Sequence, residues 1–147
     1  MKFLIIFMPI IIGFLIGFFT KPDKWYQTLK KPELMPKGYV FSIAWSILYL
    51  LIGISYYLAL KDKSLIYWII PIIHLIINFI YTPIIFKYHK LLESAFIVLL
   101  TLITLIIVMI LFYNYKKYIS VYLLIPYLLW LLFANYLGWS VYFLNKN

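Results

Sequence analysis

In the stretch Phe96-Ile-Val-Leu-Leu-Thr-Leu-Ile-Thr-Leu-Ile-Ile-Val-Met-Ile-Leu-Phe112, only Thr101 and Thr104 are polar. A helix on the surface of a water-soluble domain keeps a polar face. A strand of a membrane barrel alternates apolar and polar residues in segments of about ten. This stretch does neither, so its surroundings must be apolar on all sides. In hydrocarbon there is no water to pair with backbone N–H and C=O groups, and a helix pairs them internally. The stretch is therefore read as a helix in lipid.

Similar runs surround it. Phe3 to Phe19, Tyr39 to Leu60, Ser64 to Phe86 and Tyr118 to Leu144 are all apolar, and the quoted stretch belongs to a run from Ser94 to Tyr113. About 20 residues are needed to cross a bilayer in a tilted helix. Lysine-bearing connections join the runs, which fill about three-quarters of the 147 residues. The sequence predicts an all-α integral membrane protein: a bundle of five transmembrane helices, one domain over residues 1–147, with a lid-like loop between helices one and two. A hydrophobic fraction of 67% and a mean hydropathy of +1.03 exclude a water-soluble domain. Phe18, Phe19, Thr20 and Lys21 lack the small-residue pattern of a signal-peptide cleavage site, so the first run is read as a membrane helix.

A net charge of +9 raises the question of nucleic acid, but every one of the 13 cations is Lys, and they sit in connections and at chain ends. No basic face or base-reading module is formed, so the partner implied is the lipid bilayer and no nucleic acid is expected. Lys2, Lys61, Lys63, Lys116 and Lys117 fall on one side of the predicted bundle. Lys21, Lys24, Lys30, Lys31, Lys37, Lys87, Lys90 and Lys146 fall on the other, which the positive-inside rule places in the cytosol together with the carboxy terminus. The chain has no cysteine, so nothing in it reports on redox compartment.

The polar residues inside the runs are few and patterned. His74, Asn78 and Thr82 stand four apart on one stripe of the third run, a placement that lipid disfavours. His74 reads first as a hydrogen-bonded partner of another helix. Trp45 and Tyr49 share a face of the second run. In the fifth, Pro126, Trp130, Ala134, Gly138 and Tyr142 form a row of rings and small residues that should leave a groove. The fourth run reads as a scaffold and lipid-facing wall. Gly13 and Gly17 allow close approach of another helix, either within the bundle or across a homodimer. Pro22, Pro32 and Pro36 forbid a continuous helix between the first and second runs.

Several segments together resemble the translocator protein family, also called tryptophan-rich sensory proteins or peripheral benzodiazepine receptors. Trp25-Tyr26-Gln27-Thr28-Leu29-Lys30-Lys31-Pro32 is similar to its Trp-Tyr-x-x-Leu-x-Lys-Pro element. Val40-Phe41 with Ala44-Trp45, Leu48-Tyr49 and Gly53 looks like its second helix. Asn78 with Pro83 and Phe86 resembles its third, and Pro126-Tyr127-Leu128-Leu129-Trp130 with Phe133-Ala134 and Asn145 its fifth. The chain departs from the pattern at Leu34, Lys37, Phe79, Gly138 and Tyr142.

The resemblance implies a pocket under the first loop that binds porphyrin or haem, cholesterol and benzodiazepine-type drugs, for sensing, transport or removal, with no required cofactor. Trp45, Tyr49, Asn78, Phe79, Trp130 and Ala134 would line an oily hollow, with Trp25 and Pro32 in the lid and Lys30, Lys31 or Lys37 meeting carboxylates of a tetrapyrrole ligand. Leu137, Tyr142 and Lys146 satisfy a permissive sterol pattern. A light-dependent porphyrin-degrading enzyme and a membrane subunit without ligand are the alternatives. Asp23, Glu33, Asp62 and Glu93 all lie in connections or at a helix end, so acid–base chemistry has no parts within the membrane. His74 and His89 are not at metal-ligand spacing.

Overall fold

The computed structural model describes residues 3–146, so Lys2 of the charge count lies outside it. The described residues form helices and connections, with no strand. Helix α1 spans Leu4–Phe19. A five-residue helix α2, Lys24–Thr28, interrupts the first connection. Helix α3 spans Gly38–Leu60, α4 Ile69–Thr82, α5 Leu91–Asn114 and α6 Tyr118–Asn145. A tight 3₁₀ turn, Leu65–Trp68, leads into α4, and a wide π turn, Pro83–Lys87, leaves it.

Proline chemistry shapes the ends of α4. Pro71 occupies its first turn, where an N–H would have no partner in any case. Pro83 cannot donate to the preceding turn, and the chain widens there, with the Tyr88 N–H reaching the Pro83 carbonyl at 3.1 Å. The 3₁₀ turn, α4 and the π turn together make one apolar rod, Leu65–Lys87, of 23 residues. That rod, α3, α5 and α6 are the four helices long and apolar enough to cross a bilayer. Helix α1, with 16 residues, is shorter; its length of about 24 Å compares with a hydrocarbon thickness of about 30 Å.

The bundle is inside out relative to a soluble protein. Ile72, Ile73 and Ile76 of α4, Ile103, Ile106, Ile107 and Ile110 of α5, and Leu129 and Leu132 of α6 are all exposed. So large an apolar surface suits lipid and not water. Inside lie Leu48, Ile52, Tyr56, Leu60, Leu105, Val108, Phe112, Leu124, Tyr127 and Leu131.

Lipid tails are as apolar as these side chains, so close packing and hydrogen bonds hold the helices together. Ser55 and Ser120 donate to each other's carbonyls, both at 2.8 Å, and clasp α3 to α6. The Tyr56 hydroxyl donates to the Pro71 carbonyl at 3.1 Å, linking α3 to α4. Gly53 lets α1 meet α3: a Cβ there would lie 1.8 Å from the Ile6 carbonyl oxygen.

The fourth run, read as a scaffold and lipid-facing wall, has two distinct faces. Helix α5 turns Ser94, Ala95, Val98, Thr101, Leu105, Val108 and Phe112 inward, while its other face is exposed to lipid. A uniformly apolar sequence conceals such a split, because hydropathy distinguishes lipid from water but not lipid from protein.

The connections alternate between the two ends. Asp23 and Trp25 meet His89, and Lys30 meets Asn145, which gathers the first and third connections and the end of α6. At the opposite end Tyr67 packs on Tyr115, joining the second and fourth connections.

Candidate functional site

The polar stripe of α4 is the middle of a hydrogen-bonded relay across four helices. His74 and Tyr127 are fully buried and Asn78 nearly so, at 6% exposure. The Thr104 hydroxyl donates to the Leu100 carbonyl at 2.9 Å and to that of Thr101 at 3.0 Å, so its oxygen is left to accept from His74 Nδ1–H at 2.6 Å. A cationic imidazole without a carboxylate would be costly at this depth, so Nε2 carries a lone pair. That lone pair accepts from the Tyr127 hydroxyl at 3.0 Å. Tyr127 therefore accepts from Asn78 Nδ2–H, and Asn78 Oδ1 accepts from the Tyr49 hydroxyl at 2.8 Å. Each donor has an acceptor, and the amide orientation of Asn78 follows from its neighbours.

Around the relay the aromatic rings converge. Trp45 lies 5.2 Å from Tyr49, 6.0 Å from Tyr127 and 6.4 Å from Trp130, and Phe79 packs 5.5 Å from Tyr49. Phe41 meets the edge of Trp130 at 5.8 Å. The interhelical geometry thus brings together Trp45, Tyr49, Asn78, Phe79 and Trp130, with Ala134 packed on the same core. The rings touch one another. Open space of about 380 Å³ lies beside them at the α3–α6 seam, bounded by Ala44, Ile47, Leu48, Pro126, Leu129, Trp130 and Phe133. The Trp130 indole N–H is buried without an acceptor. Tyr127 is the central member that sequence reasoning missed, since the hydropathy of its run does not reveal which tyrosine faces inward.

The loop residues go elsewhere. Trp25 stacks on His89 at 4.1 Å. His89 also bonds Asp23 at 2.9 Å. Asp23 caps α2 by accepting the Tyr26 N–H. That bond, assisted by His89, holds the Asp23 carboxyl below its ordinary range. Its contribution is therefore present at neutral pH and fades only as acid protonates the depressed carboxyl. Lys31 donates to the Tyr26 and Leu29 carbonyls and is committed to the loop itself.

Asn145 clamps the loop from α6: its Oδ1 accepts the Lys30 N–H at 2.9 Å and its Nδ2 donates to the Lys30 carbonyl at 2.8 Å. Asn145→Ala removes both bonds. Tryptic cleavage after Lys30, followed over time by mass spectrometry, should accelerate about tenfold, as two exposed hydrogen bonds of somewhat under 1 kcal/mol each require.

Other predicted residues separate. Pro32 roofs a groove of about 1050 Å³ with Glu33, Leu34, Leu99, Leu102, Asn135, Tyr136, Trp139, Ser140, Phe143 and Leu144. Leu137 is buried while Lys146 lies over the Phe143 ring, so Leu137, Tyr142 and Lys146 do not share one surface. A Cβ on Gly13 would meet the Tyr49 ring, which turns that glycine inward, whereas Gly17 faces open space. Gly138 lies against Val98.

Four long apolar helices define the class: an integral, multi-pass membrane protein. A profile of the TspO/MBR family matches residues 5–144, and the chain belongs to that family. It is 31% identical to Protein CrtK of Rhodobacter capsulatus, over 89% of this chain and 84% of that one. Identity is 32% to Tryptophan-rich protein TspO of Archaeoglobus fulgidus, covering 91% and 90% of the two chains. Against the Tryptophan-rich sensory protein of Cereibacter sphaeroides it is 28%, covering 89% and 83%.

Proposed function

We propose that the protein crosses the bilayer five times, with α1 as a short first span and the carboxy terminus in the cytosol, and binds a tetrapyrrole or sterol-like apolar molecule at the ring cluster. The observation that carries this reading is a cluster of touching rings, Trp45, Tyr49, Phe79, Tyr127 and Trp130, two of whose hydroxyls meet on one buried amide, Asn78. Ligand sites in proteins are largely apolar and aromatic, with a few polar groups that fix orientation. The indoles of Trp45 and Trp130 offer stacking faces, and the unpaired Trp130 N–H offers a donor to a ligand's acceptor. The seam space borders Trp130 of this cluster on the outer side of α3 and α6, facing the phase in which such ligands dissolve.

The test is a titration of detergent-solubilised protein with protoporphyrin and with cholesterol, dark and illuminated, with analysis of the recovered ligand. Saturable tryptophan quenching by protoporphyrin is expected, with affinity weakened about tenfold in Trp45→Ala or Trp130→Ala, as loss of one aromatic stacking partner of about 1 kcal/mol or slightly more predicts. Ligand recovered intact supports binding for sensing, transport or removal. Consumption under light points to an enzyme, and absence of saturable binding points to an interaction subunit.

A further inference from the structure

The groove outside α5 and α6 is separate from the ring cluster and differs from it in character. Its floor is Leu99 and Leu102 of α5, its wall is the face of α6 from Asn135 to Leu144, and Pro32, Glu33 and Leu34 roof one end. Nine residue steps along α6 make it about 14 Å long. That is close to half of a hydrocarbon layer about 30 Å thick, the depth of one leaflet.

The deep end is closed by Asn135, whose Nδ2 is held by the Val98 and Leu131 carbonyls. Towards the mouth the walls are Trp139 and Phe143, and tryptophan favours the headgroup boundary. Leu34 stands on the roof with 68% of its surface uncovered, an apolar side chain awaiting an apolar neighbour.

The mouth is charged. Lys146 places its ammonium 5.2 Å from the centre of the Phe143 ring, on the groove wall. Asn145 fixes the backbone of Lys30 beside it. Glu33 is the carboxylate on the roof. This end of the bundle as a whole carries Lys21, Lys24, Lys30, Lys31, Lys37, Lys87, Lys90 and Lys146 against Asp23, Glu33 and Glu93. A long apolar channel of one-leaflet depth, with the Lys146 ammonium over its Phe143 wall and the Lys30 backbone fastened at the same end, at an end of the bundle where lysines outnumber carboxylates, matches an acyl chain joined to a phosphate.

We propose that this groove is a binding site for a single anionic glycerophospholipid, with an acyl chain lying along α6 between Trp139 and Leu102 and the phosphate at Lys146 and Lys30. The lipid covers Leu34 and fastens the first loop over α6 from outside.

Trp139 supplies the readout. The full chain is placed in vesicles of unlabelled dioleoyl-phosphatidylcholine containing a minor fraction of chain-brominated phosphatidylglycerol or chain-brominated phosphatidylcholine, and tryptophan quenching is compared. Brominated phosphatidylglycerol is expected to occupy the groove about fivefold more strongly than its choline counterpart, as a net attraction of about one lysine implies. Trp139→Phe should remove the selective part of the quenching. Lys30→Gln with Lys146→Gln should abolish the preference while leaving fold and thermal midpoint unchanged, and Ser140→Phe should abolish it by filling the groove. Equal quenching by the two brominated lipids in the native chain overturns the proposal. A preference that survives the double lysine variant or Trp139→Phe also overturns it, since the lipid would then be held elsewhere. Because the ring cluster takes no part in this test, protoporphyrin binding neither supports nor weakens the result.

Discussion

Gly53→Val is expected to separate α1 from the rest of the bundle and to lower the stability of the detergent-solubilised protein by about 3 kcal/mol, the upper part of the range for overpacking a close contact. The Cβ would fall 1.8 Å from the Ile6 carbonyl oxygen and 2.6 Å from its carbon. These are backbone atoms of a neighbouring helix, so no side-chain rotation relieves the clash, and α1 must shift as a body. Helix α1 is held mainly through α3, where Gly13 also lies against the Tyr49 ring; apart from Pro9 its residues are half-buried or exposed, and the Thr20–Thr82 hydroxyl contact at 3.2 Å lies just beyond its end. Thermal denaturation followed by size exclusion should show the lowered midpoint, and a protease should gain access to the amino-terminal segment.

The comparison with Gly17 makes this prediction specific. A Cβ at Gly17 meets nothing within 4 Å, so Gly17→Ala should be neutral or stabilise the helix by up to about 1 kcal/mol through propensity alone. If Gly53→Val left the midpoint unchanged, the close crossing of α1 and α3 would be refuted.

The two glycines also illustrate what the sequence conceals. Gly13 and Gly17 carry the familiar small-xxx-small spacing and drew the expectation of a helix contact, while Gly53, alone in its run, forms the closest crossing. The helices themselves were legible. The run read as Tyr118 to Leu144 folds as Tyr118–Asn145, and Tyr39 to Leu60 as Gly38–Leu60, because prolines and lysines mark where apolar sequence stops. Facing was harder to read in α5, where Ser94, Thr101 and Thr104 are the few polar marks of the inward side and hydropathy does not separate lipid from protein. It was legible where one stripe is polar, and there Asn78 and His74 pointed correctly to the interior. Of the candidate site, the members on helices, Trp45, Tyr49, Asn78, Phe79 and Trp130, come together in one cluster. Trp25 and Pro32 do not join them, since their positions depend on the path of the loop, which His89 and Asn145 fix from distant parts of the sequence.

Asn78→Leu is expected to be the most damaging conservative-volume change in the interior, because Asn78 is the one residue that satisfies two tyrosines at once. Leucine fills nearly the same space but leaves the Tyr49 hydroxyl without its acceptor and removes the donor to Tyr127. An unsatisfied buried polar group costs about 1 to 3 kcal/mol, which puts the loss at about 2 to 4 kcal/mol for the pair. Interhelical hydrogen bonds in membranes average nearer to 0.6 kcal/mol when both partners can find substitutes. The higher figure applies here because Tyr127 is fully buried and its own hydroxyl is already directed to His74. Tyr49→Phe should cost less, about 1 kcal/mol, since it leaves only the Asn78 Oδ1 acceptor unpaired, with Asn78 still bonded to Tyr127. Combining Asn78→Leu with Tyr49→Phe should then be less destabilising than the sum of the two, because the orphaned hydroxyl is gone. Thermal midpoints of the four proteins measure that coupling. Strict additivity would mean that Tyr49 and Asn78 do not share a bond, and the relay would have to be redrawn to end at Asn78.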